Sequence, residues 1–415
     1  MILGLDPVLL AMILTIPVLI SAFASTKIGE IIGKAAQKKN GRRKIILAAG
    51  WIGTFSYGSI WSISSHWGPT ITLFYLLVTS SVFFVSSAFL CIAIRCFAYE
   101  ETDNPDEITS VMGLAMLFEK IGSIFYFWLF PLAQSNLFSS LAQGIRIVGW
   151  SVSFCFIGLL STVVAFGAKA AKEFSHGSTL QGTHDAPLPN SYKKTLNLLL
   201  WVTFIQTGLV GLCISMDFYV LVYYVFEGEI KSGAFWKGIL STQYALVGLL
   251  SIPVLVHLSH RIGKHKTLTL IFGLNCVNSV LKWPLFAPDN EHLLIIDAIT
   301  GAWIWTAIGL LIPSILADLC YLVKKETSKM PNSYVVAKHN RALNIGTVVA
   351  ILGSGIVINI TGFDASLGGG QSHNSMEMMR VTLSLGSFVF SLLSMLLLIR
   401  NQSLPVFRAQ KVMLR

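Results

Sequence analysis

Charge is what this chain has least of. Only 12% of its 415 residues are Asp, Glu, Lys or Arg, while 54% are hydrophobic, and soluble domains carry roughly 25% charged residues. Lipid rather than water is therefore the expected solvent. The six cysteines, Cys91, Cys96, Cys155, Cys213, Cys276 and Cys320, form no C-x-x-C pair and lie in or at the ends of apolar runs. That placement suits small buried hydrophobes and argues against a disulfide framework or a metal site. No phosphate-cradling Gly-rich loop, H-E-x-x-H or G-x-S-x-G elbow is present, and no two histidines stand four apart along one span. An enzyme is not expected. The cations lack the aromatic interleaving of a nucleic-acid surface, so no nucleic-acid partner is expected. The segmental alternation of a membrane barrel and a cleavable signal peptide are missing too.

What the chain does have is apolar length. A spanning helix needs about 20 mostly apolar residues, because lipid offers backbone polar groups no partner. Eleven such stretches can be read, near 6–25, 45–64, 71–98, 108–131, 147–168, 196–226, 235–257, 268–287, 293–319, 342–360 and 377–399. The segments 26–44, 99–107, 169–194, 258–267, 321–341 and 400–415 hold 23 of the 30 Lys and Arg. Cytoplasmic loops concentrate these residues, so the net charge of +10 records topology. The C-terminus is expected in the cytoplasm, in a multi-pass protein of the cell inner (plasma) membrane.

An internal repeat divides the chain. Ile16–Leu19 and Ile252–Leu255 both read Ile-Pro-Val-Leu, and each precedes a Gly-and-cation segment, Gly41-Arg42-Arg43-Lys44 and Arg261-Ile262-Gly263-Lys264. Glycine permits a tight reversal there, and the cations meet headgroups and helix C-termini. The polar stretch 169–194 reads as a linker. The expected organisation is an N-terminal helical half of five spans (1–168), this central cytoplasmic linker, a C-terminal half of six spans (195–400) and a cytoplasmic tail (401–415).

At these residues the chain resembles the glycoside–pentoside–hexuronide:cation symporters of the major facilitator superfamily, the branch that includes melibiose permease. The resemblance runs through Asp6–Gly29, Gly41-Arg42-Arg43, Glu100, Thr102, Asp106-Glu107, Thr109, Pro313, Ala317-Asp318 and Arg341. It implies an all-α polytopic fold in two pseudo-repeated halves, and transport by one half rocking against the other around a midplane site. The family has twelve helices, and the first span here matches its second. Either the first helix is lost or the true start lies upstream.

The chain departs from the family where coupling cations bind. The two family aspartates fall near Ser21 and Ser25, four residues apart on one helical face, and a third acidic position falls near Cys91. Hydroxyls and a thiol cannot supply the charge of carboxylates, the hard-cation ligands. The family's sugar-binding arginine aligns with Ala115 and a late lysine with Leu352.

The remaining intramembrane polar groups are candidates, since such groups are expensive in lipid and usually face a cavity or a partner. On the sixth span Gln206, Cys213, Asp217 and Tyr224 fall on one stripe at 3.6 residues per turn. Asp217 could replace the lost cation site, or be a carboxylate tied to a helix partner or reached by external water. Glu119 and Lys120 on the fourth span are either a structural ion pair or substrate ligands. Arg95 either pairs with Glu119 or snorkels to headgroups. On the eighth span Asn275, Asn278, Ser279 and Lys282 form a polar face, and Lys282 is expected to snorkel outward. Gly41, Arg42, Arg43, Arg95, Gly263, Lys264 and Asp318 are expected to act in gating or loop packing. Among the tryptophans, Trp150, Trp201, Trp303 and Trp305 could stack on a sugar.

The expectation is a secondary transporter for a small polar solute, a glycoside or sugar, with sodium or a proton as the coupling ion, no other cofactor, and the bilayer as its surroundings. A monomer is expected. The alternatives are a non-transporting membrane scaffold or sensor and an uncoupled facilitator for another solute.

Overall fold

The computed structural model describes residues 7–38, 40–64, 67–100, 104–133, 137–174, 188–327, 331–364 and 367–413. Every regular element among them is helical. In chain order they are α1 (Pro7–Ala36), α2 (Gly41–Ile60), α3 (Pro69–Glu100), α4 (Pro105–Ala133), α5 (Leu141–Val152, continuing as Ser153–Leu159 and Leu160–Phe174), α6 (Asn190–Val225), α7 (Ile230–Ile262), α8 (Lys264–Leu285), α9 (Leu294–Thr327), α10 (Asn332–Ile360), α11 (His373–Arg400) and α12 (Pro405–Met413).

Ten of these are long and apolar enough to cross a membrane. The eleventh expected stretch is α2, whose 20 residues open on Gly-Arg-Arg-Lys and include three further glycines, so its apolar length is short. The helices overrun the apolar stretches toward the basic segments, because a helix does not end where lipid does: α1 continues to Ala36 and α9 to Thr327. α12 is a short amphipathic helix in the tail, packed on the start of α6, and has no counterpart among the apolar stretches.

The chain forms two compact units, Met1–Asp103 with Trp128–Leu188 and Cys320–Ile345, and Asn104–Phe127 with Pro189–Leu319 and Gly346–Arg415. In the first, α1 and α2 pack along α3, and α2 packs on α5. Lipid gives helices little hydrophobic reason to associate, so close approach through small residues does the work. A methyl at Gly50 would overlap Ser161, and one at Gly58 would overlap the Trp150 ring, whose Nε1 donates to Ser62 Oγ at 2.8 Å. In the second unit α8 lies along α11, and Gly208 meets the backbone of Gly346 so closely that a Cβ would sit 3.2 Å from its Cα. Met216, Leu221, Phe286, Leu294, Met379 and Leu383 belong to one buried apolar cluster of this unit.

Among the described residues four helical stretches widen into π-turns: Ser153–Leu159 in α5, Ile205–Val210 and Leu221–Val225 in α6, and Thr382–Gly386 in α11. Such bulges change the phase of a helix and often accompany functional sites. This alters the stripe expected on α6. With wide turns at 205–210 and 221–225 and a break at Ser215-Met216, Gln206, Asp217 and Tyr224 reach three different neighbourhoods.

Candidate functional site

Four helices of the second unit bring their intramembrane polar groups together. Lys282, near the end of α8, is only 3% exposed and donates to Asp297 Oδ1 at 2.5 Å; Asp297, on the first turn of α9, is equally buried. The same oxygen accepts from Asn278 Nδ2 at 3.2 Å, one helical turn before Lys282. The other carboxylate oxygen accepts from the Tyr244 hydroxyl of α7 at 2.7 Å. Thr300 donates to Asn278 Oδ1 and so fixes the amide's orientation. Gly301 lets these groups close, since a Cβ there would stand 2.8 Å from Asn278 Nδ2 and nearer still to the Tyr244 hydroxyl. Lys282 thus does not snorkel outward. A paired carboxylate at hydrogen-bond distance, with the Phe286 ring 5.1 Å from its ammonium, outweighs the pull of headgroups.

A second ion pair stands beside the first. Lys237 Nζ of α7 donates to Asp217 Oδ2 of α6 at 2.5 Å, but these side chains are 34% and 18% exposed. Between the two pairs is a cavity of about 180 Å³ lined by Asp217, Lys237, Ser241, Tyr244, Asp297 and Trp305, with Ile214, Leu221, Leu240 and Phe286 as its apolar walls. One inner pair is fixed and dry. The outer pair is reachable and opens on a space with an aromatic side.

The other sequence candidates lie elsewhere. Gln206 donates to Ser394 Oγ at 2.8 Å, and Asn275 donates to Ser391 Oγ at 2.6 Å; both tie α11 to its neighbours. Tyr224 accepts from Arg380 at 3.0 Å and lies under its guanidinium, which is also 4.3 Å from the Trp283 ring. Glu119 is exposed. Lys120 runs against α7, where a Cβ at Gly248 would meet its Cε at 3.0 Å. Of the four tryptophans proposed for stacking, only Trp305 lines this cavity; Trp201 is 61% exposed.

In the first unit Ser21 and Ser25 form a neutral ladder with α10. Ser21 Oγ donates to the Phe84 carbonyl at 3.1 Å and accepts from Asn344 at 3.1 Å. Ser25 Oγ donates to the Ser21 carbonyl at 2.7 Å and accepts from Asn340 at 3.0 Å. These hydroxyls are spent on neighbours, and no carboxylate joins them in the described contacts. Such a donor set lacks the negative charge that carboxylates would bring to a cation. Cys91 is exposed. Arg95 meets His339 Nδ1 at 3.2 Å and so has a partner within its own unit.

The repeated Gly-and-cation segments make equivalent clamps. Gly263, at φ 90°, is the hinge between α7 and α8. Lys264 follows it, 4% exposed, and donates to both oxygens of Asp318 at 2.6 and 2.8 Å near the end of α9. Gly41 sits so close to the Ala35 carbonyl that no side chain fits, Asn40 takes the left-handed turn at φ 60°, and Arg42 pairs with Glu100 at the end of α3. Asn332 also donates to Glu100, at 3.2 Å. Arg43 stacks over Phe166, 4.0 Å from its ring centre. In each case the cation opens one helix and ties it to the end of the next.

Sequence reasoning passed over Asp297, Lys237, Tyr244 and Ser241. The signal for Asp297 was available, an acid inside the apolar run Leu293–Ile299. The pairing was not, because it depends on three helices meeting.

Comparison with known proteins places this geometry. No curated relative matches the chain significantly. Its fold is similar to that of the proton:xylose symporter XylE bound to 6-bromo-6-deoxy-D-glucose, with TM-score 0.64 and 14% identity over 97% of this chain and 88% of that one. It is also similar to a bacterial homologue of the iron transporter ferroportin in an outward-facing state (TM-score 0.60, 14% identity, 95% and 89% covered). A third similar structure is the human organic anion transporter MFSD10 (0.61, 13%, 94% and 83%). The family profile described as MFS/sugar transport protein matches residues 1–404. The chain is therefore a multi-pass membrane transporter and not an enzyme, and it belongs to the MFS/sugar transport protein family.

Proposed function

We propose that this transporter moves a small polar solute, a sugar or glycoside, by alternating access in the cell inner membrane, as a relative of the melibiose permease branch of glycoside–pentoside–hexuronide symporters. The observation that carries the reading is the cavity itself, which carboxylate, ammonium and hydroxyl groups of Asp217, Lys237, Ser241 and Tyr244 line together with Trp305. Sugars need both features, directional hydrogen bonds for their hydroxyls and a flat apolar surface for their C–H faces. The coupling ion, sodium or a proton, would meet Asp217 or Asp297, because the α1 positions that match the family's aspartates are serines already bonded to Asn340 and Asn344.

That neutral ladder also favours a second reading, an uncoupled facilitator. Uptake of labelled sugars and glycosides into proteoliposomes holding the full-length protein, with and without sodium or proton gradients, separates the two. Gradient-driven accumulation abolished by Asp217→Asn supports the symporter. Equilibration that no gradient changes supports the facilitator, and a folded protein that moves none of these solutes sinks both and leaves the scaffold or sensor alternative.

A further inference from the structure

Taking the cavity as the solute site, an assumption that rests on the function proposed above, its charges narrow what can enter. Two carboxylates face it, Asp217 and Asp297, and each is matched by an ammonium, Lys237 and Lys282, at 2.5 Å. Tyr244 adds a hydroxyl already donated to Asp297. Lys120, beside Gly248 and Thr306 and outside the lining, has Glu119 next to it. The wall is thus balanced pair by pair.

The two pairs differ in what they can do. Lys282 and Asp297 are each 3% exposed and share further hydrogen bonds with Asn278 and Tyr244, so separating them would strand a buried charge. Lys237 and Asp217 are 34% and 18% exposed and have only each other among the contacts described. The outer pair is the one that a solute can part.

What can part it without leaving a charge alone follows from donor and acceptor chemistry. An ammonium only donates and a carboxylate only accepts, whereas an alcohol does both. A ring bearing neighbouring hydroxyls can insert between Lys237 and Asp217, accepting from one and donating to the other. An anionic solute would take Lys237 and strand Asp217, and a cationic solute would do the reverse. A cavity of about 180 Å³ is below the roughly 300 Å³ at which pockets for drug-sized ligands begin, which suits a single ring.

We infer that the site takes an uncharged single-ring polyol, gripped by the opened Asp217–Lys237 pair against Trp305, and rejects charged solutes of the same size. The Lys282–Asp297 pair stays closed throughout.

The test is calorimetric titration of the full-length protein in lipid nanodiscs with rings of one size and different charge: neutral hexoses and myo-inositol, then glucuronate and glucosamine. At least one neutral ring should bind, with the two charged rings roughly 10- to 100-fold weaker, as expected for leaving one ionic group unpaired. Lys237→Met should shift the preference toward glucosamine and Asp217→Asn toward glucuronate, a reversal that a merely structural pair would not produce. Thermal melting of each variant verifies that it is folded. Tighter binding of glucuronate or glucosamine than of every neutral ring by the wild type overturns this inference while leaving the sugar-transport reading intact, as does a folded pair of variants with unchanged charge preference. No binding of any ring by the folded wild type overturns both.

Discussion

At the scale of single residues, the deciding event is the burial of two full charges within one hydrogen-bonded group. Removing one partner of such a pair leaves the other charge dry and uncompensated, a loss of about 3–5 kcal/mol, whereas removing both can be nearly neutral. Asp297→Asn and Lys282→Met should each lower the melting temperature of the purified protein strongly, and the double variant should recover most of the loss. Melting curves of the three proteins check this, and a double variant as unstable as the sum of the singles would refute the pairing. Trp305 makes a separate prediction, since it is a wall and not a strut: Trp305→Ala should reduce solute uptake by about tenfold or more, the effect of losing roughly 1.4 kcal/mol of contact, with melting changed far less than by Asp297→Asn. Paired uptake and melting measurements on that variant decide it. These residues were unevenly legible in the sequence. Asp217 is an intramembrane acid and stands out for that reason alone. Lys282 read as a snorkelling lysine because its partner lies 15 positions on, beyond a turn, and a helical pattern of one span cannot display it.

At the scale of elements, the order and approximate edges of the first eleven helices were readable because a 20-residue apolar run in lipid has one backbone solution, while the short tail helix α12 has no such run. What could not be read was helix phase. Gln206, Asp217 and Tyr224 share a face only if α6 turns evenly, and its two π-stretches remove that condition. The Gly-and-cation repeat was legible as a repeat, but its acidic partners were not assigned. Lys264 closes on Asp318 and Arg42 on Glu100, each joining the first turn of one helix to the last turns of the next. Lys264→Ala should destabilise the protein by about 3–5 kcal/mol, since it removes the ammonium that donates to both oxygens of Asp318, a carboxylate only 1% exposed. Arg42→Ala should destabilise it less, because Glu100 is 22% exposed and keeps Asn332 as a donor. Denaturation of the two variants in the same detergent ranks the clamps, and a larger loss for Arg42→Ala would contradict the burial argument.

At the scale of the whole molecule, charge distribution does what no single contact does. The protein carries 30 Lys and Arg against 20 Asp and Glu, and the excess is concentrated in alternate connections between spans. Only cations in short loops near span ends set orientation. We therefore propose that the segments 258–267 and 400–415, both short and basic, face the cytoplasm. The segment joining α8 to α9, Phe286–Leu293, has no Lys or Arg at all and on that proposal lies on the opposite face. This assignment also sets the direction from which the cavity is approached, since Asp217, Lys237, Lys282 and Asp297 each lie nearer the end of their helix that borders a cation-poor connection. Single cysteines introduced at His292, which is exposed in that cation-poor segment, and at Gln402, exposed in the basic tail, read the orientation in a background with the six native cysteines replaced. A membrane-impermeant maleimide applied to intact cells should label His292→Cys at once and Gln402→Cys only after permeabilisation. The reverse pattern would invert the topology and place both ion pairs toward the cytoplasmic ends of their helices, so that the cavity would be reached from the cytoplasm.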